Sequence, residues 1–388
     1  MTPRPARVAR THAGELGALT AAKTVSNTAL RWVGPFLPTL ERAFGTTTGT
    51  LTGIMGVCEL GGLTTIATGP TLDRGHERRV FTLGLSAVTV SCLVALLGTT
   101  TWFAVSFAIL VLGVSNLTVA GHAWIGHRVP FAARGRSIGL FETSWAFALL
   151  VGAPLIAVVI GRTGWRGPYV MLAVASALAA VGVRLLVSGR SSEAAAAARQ
   201  PVSPLPRSAW FPMLASASTA AAGLGTFVVS GAWLDDVHQV STGGLGLIAA
   251  GFGVVELASS STVATIGDRI GARRSVLIGL SGLLCGALVM SVSGGSRTLA
   301  VIGLLVLLTG FEFGFVSSLT LVTEAAPAAR GRAIGISNAC GTVARASAVV
   351  ASGQLYEAFG IHGSLVLVAT AATAAVALTV LSRPAYAS

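Results

Sequence analysis

Residues 53–79 and 250–274 carry the same passage twice. The first copy reads Gly56-Val57-Cys58-Glu59-Leu60 and continues to Asp73-Arg74, and the second reads Gly253-Val254-Val255-Glu256-Leu257 and continues to Asp268-Arg269. Farther along, Arg134-Gly135-Arg136 recurs about 196 residues later as Arg330-Gly331-Arg332. The 388 residues therefore consist of two copies of one unit, with a period far too long for solenoid or propeller repeats. A duplicated half in an apolar chain is typical of transporters built from repeats.

The composition predicts an integral membrane protein. Charged residues make up 10% of the chain and apolar residues 53%, and the mean hydropathy is +0.78, whereas a water-soluble globule needs much more polar surface. Helices of about 20 apolar residues cross a bilayer, and the ten-residue alternation of membrane β-strands is missing. We predict twelve helical spans as six plus six, at 16–40, 50–70, 80–97, 101–126, 137–160, 168–188, 211–234, 244–266, 275–293, 298–322, 333–355 and 361–381.

A polar connector separates the two copies. Residues 189–209 are rich in Ala, Ser and Arg and then carry Pro201, Pro204 and Pro206, which would end any surface helix in the alanine run. We therefore predict an N-terminal six-helix half at 1–188, a cytoplasmic linker at 189–209 and a C-terminal six-helix half at 210–388.

The positions of the basic residues argue against nucleic-acid binding, which the net charge of +12 would otherwise suggest. With the N-terminus inside, nineteen of the 26 Lys and Arg residues fall on cytoplasmic segments, four on outer segments and three within spans. Membrane proteins concentrate Lys and Arg on cytoplasmic loops in this way. The pattern predicts a multi-pass protein of the inner (plasma) membrane with both termini in the cytoplasm. We expect a monomer in the lipid bilayer.

The loops after spans 2 and 8 carry the strongest motif. They read Gly69-Pro-Thr-Leu-Asp73-Arg74-Gly-His-Glu-Arg78-Arg79 and Asp268-Arg269-Ile-Gly271-Ala-Arg273-Arg274. Together with the twelve predicted spans, the linker and the Arg-Gly-Arg loops after spans 4 and 10, they resemble the major facilitator superfamily over essentially the whole chain. The resemblance implies an all-α membrane protein of two pseudo-symmetric six-helix halves. His76 and Glu77 depart from the family pattern G-x-x-x-D-R-x-G-R-R in the first copy, and Ala264 replaces the leading Gly in the second.

The same resemblance implies a gating role for these loops, because in the family the first of them helps to latch the outward-facing state. Simple anchoring by positive charge on the cytoplasmic side explains the arginines but not the two aspartates. The candidate gating residues are Asp73, Arg74, Arg78, Asp268, Arg269 and Arg273.

Span 5 resembles a narrower branch of the family. Glu142-Thr-Ser-Trp145, Gly152-Ala-Pro154 and Gly164-Trp165-Arg166 look like bacterial exporters of the drug and sugar efflux type, which are proton antiporters. Span 5 of such antiporters carries Gly-x-x-x-Gly-Pro-x-x-Gly-Gly. Here Gly152-Ala-Pro154 is followed by Leu-Ile-Ala, so the match is partial.

Span 1 carries a polar stripe. Lys23, Asn27 and Arg31 are spaced by four residues, which places them on one face of a helix, and we expect that face to line the cavity. A charge at mid-bilayer costs about 2.5–3.5 kcal/mol, so it is usually turned inward and used. Arg31 either serves the cavity or pairs with an acid. Lys23, the only lysine in the chain, either functions there or extends its ammonium to the cytoplasmic interface.

Span 5 places a carboxylate beside an aromatic ring. Glu142, Trp145 and Leu149 share one helical face, a combination that suits an amphipathic or cationic substrate. Glu142 is either a proton carrier or a static hydrogen-bonded glutamate. His122, near the inner end of span 4, is expected to be solvated.

Three further acids and one base lie within spans. Glu59 and Glu256 occupy equivalent places in the repeat, and they either take part in transport or bond neighbouring spans. Glu312 has no acid at the matching place in span 4, where Asn116 is nearest, and this asymmetry favours a function. Arg345, which could neutralise Glu312 or Glu256, either takes part in transport or has a structural role.

No enzyme, cofactor or metal motif is present in the sequence. A phosphate-binding loop, a His-Glu-x-x-His motif and a nucleophile elbow are all missing, and the four cysteines in apolar spans are expected to be buried thiols. We therefore expect a transporter of a small molecule driven by an ion gradient, with protons as coupling ion and export as direction. The alternatives are a facilitator or symporter importing a small organic anion held by Lys23 and Arg31, and a substrate sensor that moves nothing.

Overall fold

The structure, a computed structural model, describes residues 5–189, 204–327 and 329–382. Within these ranges all regular structure is helical. The helices are α1 (Pro5–Arg31), α2 (Leu37–Phe44), α3 (Thr48–Glu59), α4 (Thr65–Asp73), α5 (Glu77–Ala95), α6 (Thr100–Arg128), α7 (Phe131–Phe147), α8 (Ala153–Thr163), α9 (Arg166–Leu186), α10 (Trp210–Asp236), α11 (Thr242–Ile270), α12 (Ala272–Ser291), α13 (Arg297–Ala325), α14 (Arg330–Phe359) and α15 (Ile361–Leu381).

Eleven helical stretches of the described chain are long and apolar enough to cross a membrane. One of them, Thr48–Asp73, joins α3 to α4, and another, Ala133–Thr163, joins α7 to α8. α1 is not among the eleven, although its 27 residues are long enough, because it also carries charged residues such as Glu15, Lys23 and Arg31. Eleven spans together with α1 agree with the predicted twelve, and the all-α membrane fold is confirmed.

Three of the predicted spans contain breaks. Span 1 was expected to run from 16 to 40, but α1 ends at Arg31 and a turn leads to the short α2. Pro35 and Pro38 supply no backbone N–H and disfavour helical geometry in the residue before them, so the helix stops short of the predicted end of the span. In span 2 a 3₁₀ segment, Leu60–Thr64, separates α3 from α4. In span 5 a π-helix, Ala148–Gly152, separates α7 from α8, whose second residue is Pro154.

The described residues group into two compact units. The first comprises Met1–Trp32 with Gly61–Pro201, and the second comprises Val33–Leu60 with Val202–Ser388. The 3₁₀ break in span 2 thus coincides with the boundary between units. The segment Val33–Leu60, which the predicted boundaries assign to the N-terminal half, packs in the second unit with α3 against α14: a Cβ on Gly56 would lie 2.6 Å from the Ala346 carbonyl oxygen.

One pair of helices at corresponding places in the repeat is in glycine-mediated contact in both units. In the first, a Cβ added to Gly84 of α5 would lie 2.7 Å from the Gly113 carbonyl oxygen of α6. In the second, a Cβ on Gly279 of α12 would lie 2.3 Å from the Gly314 backbone nitrogen of α13. Small residues let membrane helices approach closely enough for backbone contact. Spans 3 and 4 therefore pack as spans 9 and 10 do, which is the structural counterpart of the repeated sequence.

Candidate functional site

The buried charges of the first unit meet at Glu142. The Lys23 side chain is fully buried, and its Nζ donates to Glu142 Oε1 at 2.8 Å. The ammonium also lies 4.1 Å from the centroid of the Phe141 ring, a distance at which an aromatic face attracts a cation. Of the two alternatives for Lys23, extension to the interface does not hold, because the ammonium turns inward to α7.

His122 joins the same carboxylate. Its Nε2 lies 2.7 Å from Glu142 Oε1, and its ring packs edge-on against Phe141. Both His122 and Glu142 are partly exposed, at 40% and 35%, whereas Lys23 is at 0%. The expected solvated histidine is therefore half-exposed and bound to an acid. One carboxylate oxygen thus serves two basic groups, one fully buried and one partly exposed.

The rest of the span 1 stripe also faces α7. Asn27 Nδ2 donates to Ser144 Oγ at 3.1 Å, and Asn27 Oδ1 is buried without a hydrogen-bond partner among the described residues. Arg31 donates to the Trp145 carbonyl oxygen at 2.8 Å, and its guanidinium carbon lies 5.1 Å from the Trp145 ring centroid. The stripe predicted from helical spacing therefore lies along the face of span 5 that carries the carboxylate and the aromatic ring.

The break in span 5 follows this face directly. The Trp145 carbonyl that binds Arg31 lies just before the π-helix Ala148–Gly152. Gly152 packs closely on α1, because a Cβ there would lie 2.7 Å from Thr28 Oγ1. Span 5 is thus in close contact with α1 from Glu142 to the end of the π-helix at Gly152.

In the second unit the charges within spans are more dispersed. Arg345 Nε lies 3.7 Å from Glu59 Oε2, and Arg345 also donates to Thr342 Oγ1 at 3.2 Å. The predicted partners of Arg345 were Glu312 and Glu256, so Glu59 is a partner that the sequence did not suggest. Glu256 is buried, and Glu312 is half-buried beside Phe311, whose ring stacks on Phe315.

The candidate gating loops tie neighbouring helices together in both units. Asp73 and Arg74 are exposed at the end of α4, while Arg78 donates to the Val187 carbonyl oxygen at 3.2 Å, just beyond α9. In the second copy, Arg273 donates to the Val380 carbonyl oxygen at 2.5 Å, near the end of α15. Basic groups at helix C-termini bind the last carbonyls favourably. Arg269 is exposed, and the side chain of Asp268 lies outside the described part.

A buried cluster next to the first gating loop was missed by the sequence interpretation. Glu77 is 1% exposed, contacts His127 Nδ1 through Oε1 and lies 3.3 Å from Arg128 Nη1 through Oε2. Arg128 in turn donates to the Gly189 carbonyl oxygen at 2.5 Å. The sequence carried one sign of this cluster, which is that Glu77 stands where the family pattern has an arginine. A carboxylate at that position needs a basic partner, and His127 and Arg128 supply it.

Among the described residues, no group of three or more His, Cys, Asp or Glu side chains is placed to hold a metal ion. None of the four cysteines forms a disulfide bond. Only Cys92 is buried, Cys58 and Cys340 are half-buried and Cys285 is exposed, so the expectation of burial was wrong for Cys285.

Comparison with known proteins identifies the family. A sequence profile of the Major Facilitator Superfamily matches residues 19–234 and 213–387. The chain is also 28% identical over 138 residues to the uncharacterized MFS-type transporter YwfA of Bacillus subtilis (strain 168), covering 34% of this chain and 33% of YwfA. The match thus spans about a third of that relative.

Solved structures share the fold. A bacterial homolog of the human lysosomal transporter Spinster, in an inward-facing and occupied conformation, superposes with a TM-score of 0.75 at 14% identity over 95% of this chain and 93% of that chain. A POT family transporter in complex with a thioalcohol-conjugated peptide gives a TM-score of 0.73 at 15% identity over 94% of each chain. At such identities the likeness shows the fold alone. With the family profile covering nearly all of its length, this chain belongs to the major facilitator superfamily and is a multi-pass membrane transporter that works by alternating access.

Proposed function

We propose that this transporter exports a small organic or amphipathic molecule in exchange for protons, and that Glu142 carries the proton. The observation that supports this most is the sharing of one Glu142 oxygen by a fully buried lysine and a half-exposed histidine. Histidine is the side chain that ordinarily changes charge between pH 5 and 8. His122 is thus suited to pass a proton between the cavity and the carboxylate.

The pair with Lys23 supplies the coupling. When Glu142 takes up a proton, the buried ammonium loses its counter-charge, and an uncompensated charge in an apolar environment is costly. The protonated state therefore favours a different packing of α1 against α7. A proton bound at Glu142 can change the conformational equilibrium because its binding energy differs between the two conformations.

The surroundings of Glu142 support a substrate that donates hydrogen bonds. The Glu142 carboxylate is an acceptor that is 35% exposed, and Trp145 beside it is a half-buried aromatic side chain. A substrate with an N–H or O–H group and an apolar body would match both. The alternative of an organic anion held by Lys23 is less favoured, because Glu142 already binds that ammonium.

We also propose how the protein is oriented in the membrane and that it works as a monomer. Both termini are placed in the cytoplasm and the protein in the inner membrane, supported by the distribution of Arg. Glu59, Glu256, Glu312 and Arg345 are proposed as second-unit contributors to substrate or proton movement. The monomer is proposed as the working unit.

Vesicle transport tests the proposal. A ligand-stabilisation screen on purified protein selects a substrate, which is then followed in vesicles with imposed pH gradients. Glu142→Gln should abolish gradient-driven accumulation while leaving exchange at equal concentrations largely intact, and Glu312→Gln tests the second acid in the same way. The exposed Glu324→Gln is the matched control. If wild type moves substrate without proton movement, or if both Gln variants accumulate it normally, the proton route is wrong. Uptake in the direction of the proton gradient would instead support the importer.

A further inference from the structure

Phe141 lies between the charged groups that meet at Glu142. Its side chain is fully buried on α7, one residue before Glu142. The Lys23 ammonium lies 4.1 Å from the centroid of its ring. The His122 ring meets the same ring at 72°, with 5.4 Å between the two centroids. One aromatic side chain therefore contacts both basic groups that share Glu142 Oε1.

The Lys23 ammonium is held by a carboxylate and by an aromatic face. One of its three N–H groups donates to Glu142 at 2.8 Å. The nearest ring face is that of Phe141, because the Trp145 centroid lies 6.0 Å away, about the limit of a cation–π contact. Trp145 also has the Arg31 guanidinium at 5.1 Å. Since the lysine side chain is fully buried, it gains more from an aromatic face than an exposed cation does.

A glycine on span 4 makes room for the Phe141 ring. A Cβ added to Gly121 of α6 would overlap the tip of the ring, whereas one added to Gly126 would meet no atom of another described helix within 4 Å. Gly121 directly precedes His122, so the missing side chain lets the ring lie against the backbone beside the imidazole. The Ser144 hydroxyl donates to the Phe141 carbonyl oxygen at 2.7 Å. The ring is thus positioned both by α6 and by its own helix.

We propose that Phe141 is a positioning residue for proton exchange at Glu142, because its ring face holds the Lys23 ammonium when a proton neutralises the carboxylate. The inference rests on the proposed function for the proton, whereas the contact between ring and ammonium is independent of it. A protonated Glu142 no longer offsets the buried positive charge. The attraction of the ring for the ammonium does not depend on that proton. The lysine therefore keeps one partner in both protonation states, and His122 stays packed on the same ring.

Fluorination of the ring separates this role from ordinary core packing. A core residue needs only the volume and shape of its side chain. A cation–π partner also needs the electron density of the ring face, since the attraction comes from the ring quadrupole. Fluorine withdraws that density and changes the shape of the ring little. The analogues 3-fluorophenylalanine and 3,5-difluorophenylalanine leave the tip carbon against Gly121 unsubstituted, and amber suppression introduces either of them at position 141.

Equilibrium unfolding tests the contact without any transport. The unfolding equilibrium constant is measured by SDS titration in mixed micelles, with zero, one or two fluorines at Phe141, in wild type, Lys23→Met and Glu142→Gln. The constant should rise with the number of fluorines in wild type and in Glu142→Gln, because both keep the ammonium. It should not rise in Lys23→Met. The matched control is the same fluorination of Phe81, another fully buried ring of the first unit, which should show no such order.

Two substitutions measure the size of the contact and the fit of the ring. Phe141→Leu should raise the unfolding equilibrium constant about 5- to 30-fold more in wild type than in Lys23→Met, the strength of a desolvated cation–π contact, because the loss of packing is common to both backgrounds. Gly121→Ala should also raise the constant, since its methyl group overlaps the ring. Gly126→Ala is the matched control on the same helix and should not raise it.

Vesicle transport tests whether the ring positions the proton carrier. With the substrate selected by the stabilisation screen, accumulation driven by a pH gradient should fall as fluorines are added to Phe141. Exchange at equal substrate concentrations should stay near the wild-type rate, because the ring contacts Lys23 and His122 and acts through them on the proton-carrying group. Fluorination of Phe81 should change neither rate.

The proposal is overturned by equal fluorination effects on unfolding in wild type and Lys23→Met, or by the absence of an effect in Glu142→Gln. Unchanged accumulation in both fluorinated forms of Phe141 would also overturn it, since the ring would then bind the lysine without positioning the carrier. Wild-type transport without proton movement would instead refute the proton route at Glu142. The unfolding series would still decide whether the ring holds the lysine, so the two failures are distinguishable.

Discussion

Neutralising Glu142 should destabilise the protein more than neutralising Lys23. Lys23 is fully buried, whereas Glu142 is 35% exposed and keeps His122 as a second partner. In Glu142→Gln the ammonium stays buried without its counter-charge, and breaking a buried pair in this way costs about 3–5 kcal/mol. In Lys23→Met the carboxylate keeps one hydrogen bond and part of its hydration, so we expect a cost of about 1–3 kcal/mol. Methionine preserves the unbranched stem that packs in the core.

The double variant Lys23→Met/Glu142→Gln closes a thermodynamic cycle. Since it removes both charges together, its cost should be smaller than the sum of the single costs by about 1–3 kcal/mol. The free energies of unfolding are measured by SDS titration in mixed micelles, followed by helical circular dichroism, with Glu324→Gln as control. Additive costs, or a greater cost for Lys23→Met than for Glu142→Gln, would refute the assigned burial and pairing.

Three further outcomes are expected. Reporters fused after residue 388 and within 189–209 should both read cytoplasmic, and a periplasmic reading for either would overturn the proposed orientation. Asp73→Asn should slow transport and raise cysteine accessibility of the cytoplasmic cavity with little change in substrate affinity; unchanged turnover would mean that the loop only sets orientation. Glu41→Gln should raise the melting temperature at pH 8 and have little effect at pH 4, because an acid whose pKa is raised by folding contributes stability at low pH and loses it as pH rises through that pKa. Equal melting shifts at both pH values would contradict this sign.

Helical periodicity accounts for what could be predicted about the first unit. Lys23, Asn27 and Arg31 share a face because spacing within one helix depends only on 3.6 residues per turn, and Glu142 with Trp145 follows the same rule. The contact between the polar face of span 1 and the Glu142 face of span 5 depends on how the spans pack. The spacing of residues along the chain does not determine that packing. For that reason His122, on a separate helix, was assigned to solvent when it binds Glu142.

The second unit shows the same limit. The repeat showed that Glu59 and Glu256 are equivalent. It did not show that Arg345 pairs with Glu59, since Glu312 and Glu256 were the predicted partners. The first turn of α3 also binds a side chain from far along the chain, because the Gly49 N–H donates to Glu357, 308 positions later. Helix ends were also harder to predict than helix centres, as the stop at Arg31 shows. Two prolines within four residues carried that information, because each removes one backbone donor.

The π-helix in span 5 has a consequence for how this gene tolerates changes in length. A π turn holds one residue more than an α turn would, so deleting one residue from 148–152 would restore a regular α-helix without shortening the apolar stretch below a membrane width. Because the extra residue is taken up within one turn, the parts of the span on either side of it would keep their rotation relative to each other. Glu142 would then still face Lys23 with Ala153–Thr163 in its place. A one-residue deletion should therefore be tolerated within 148–152, whereas within the regular helix Phe131–Phe147 it would turn the side chains on one side of it by about 100°.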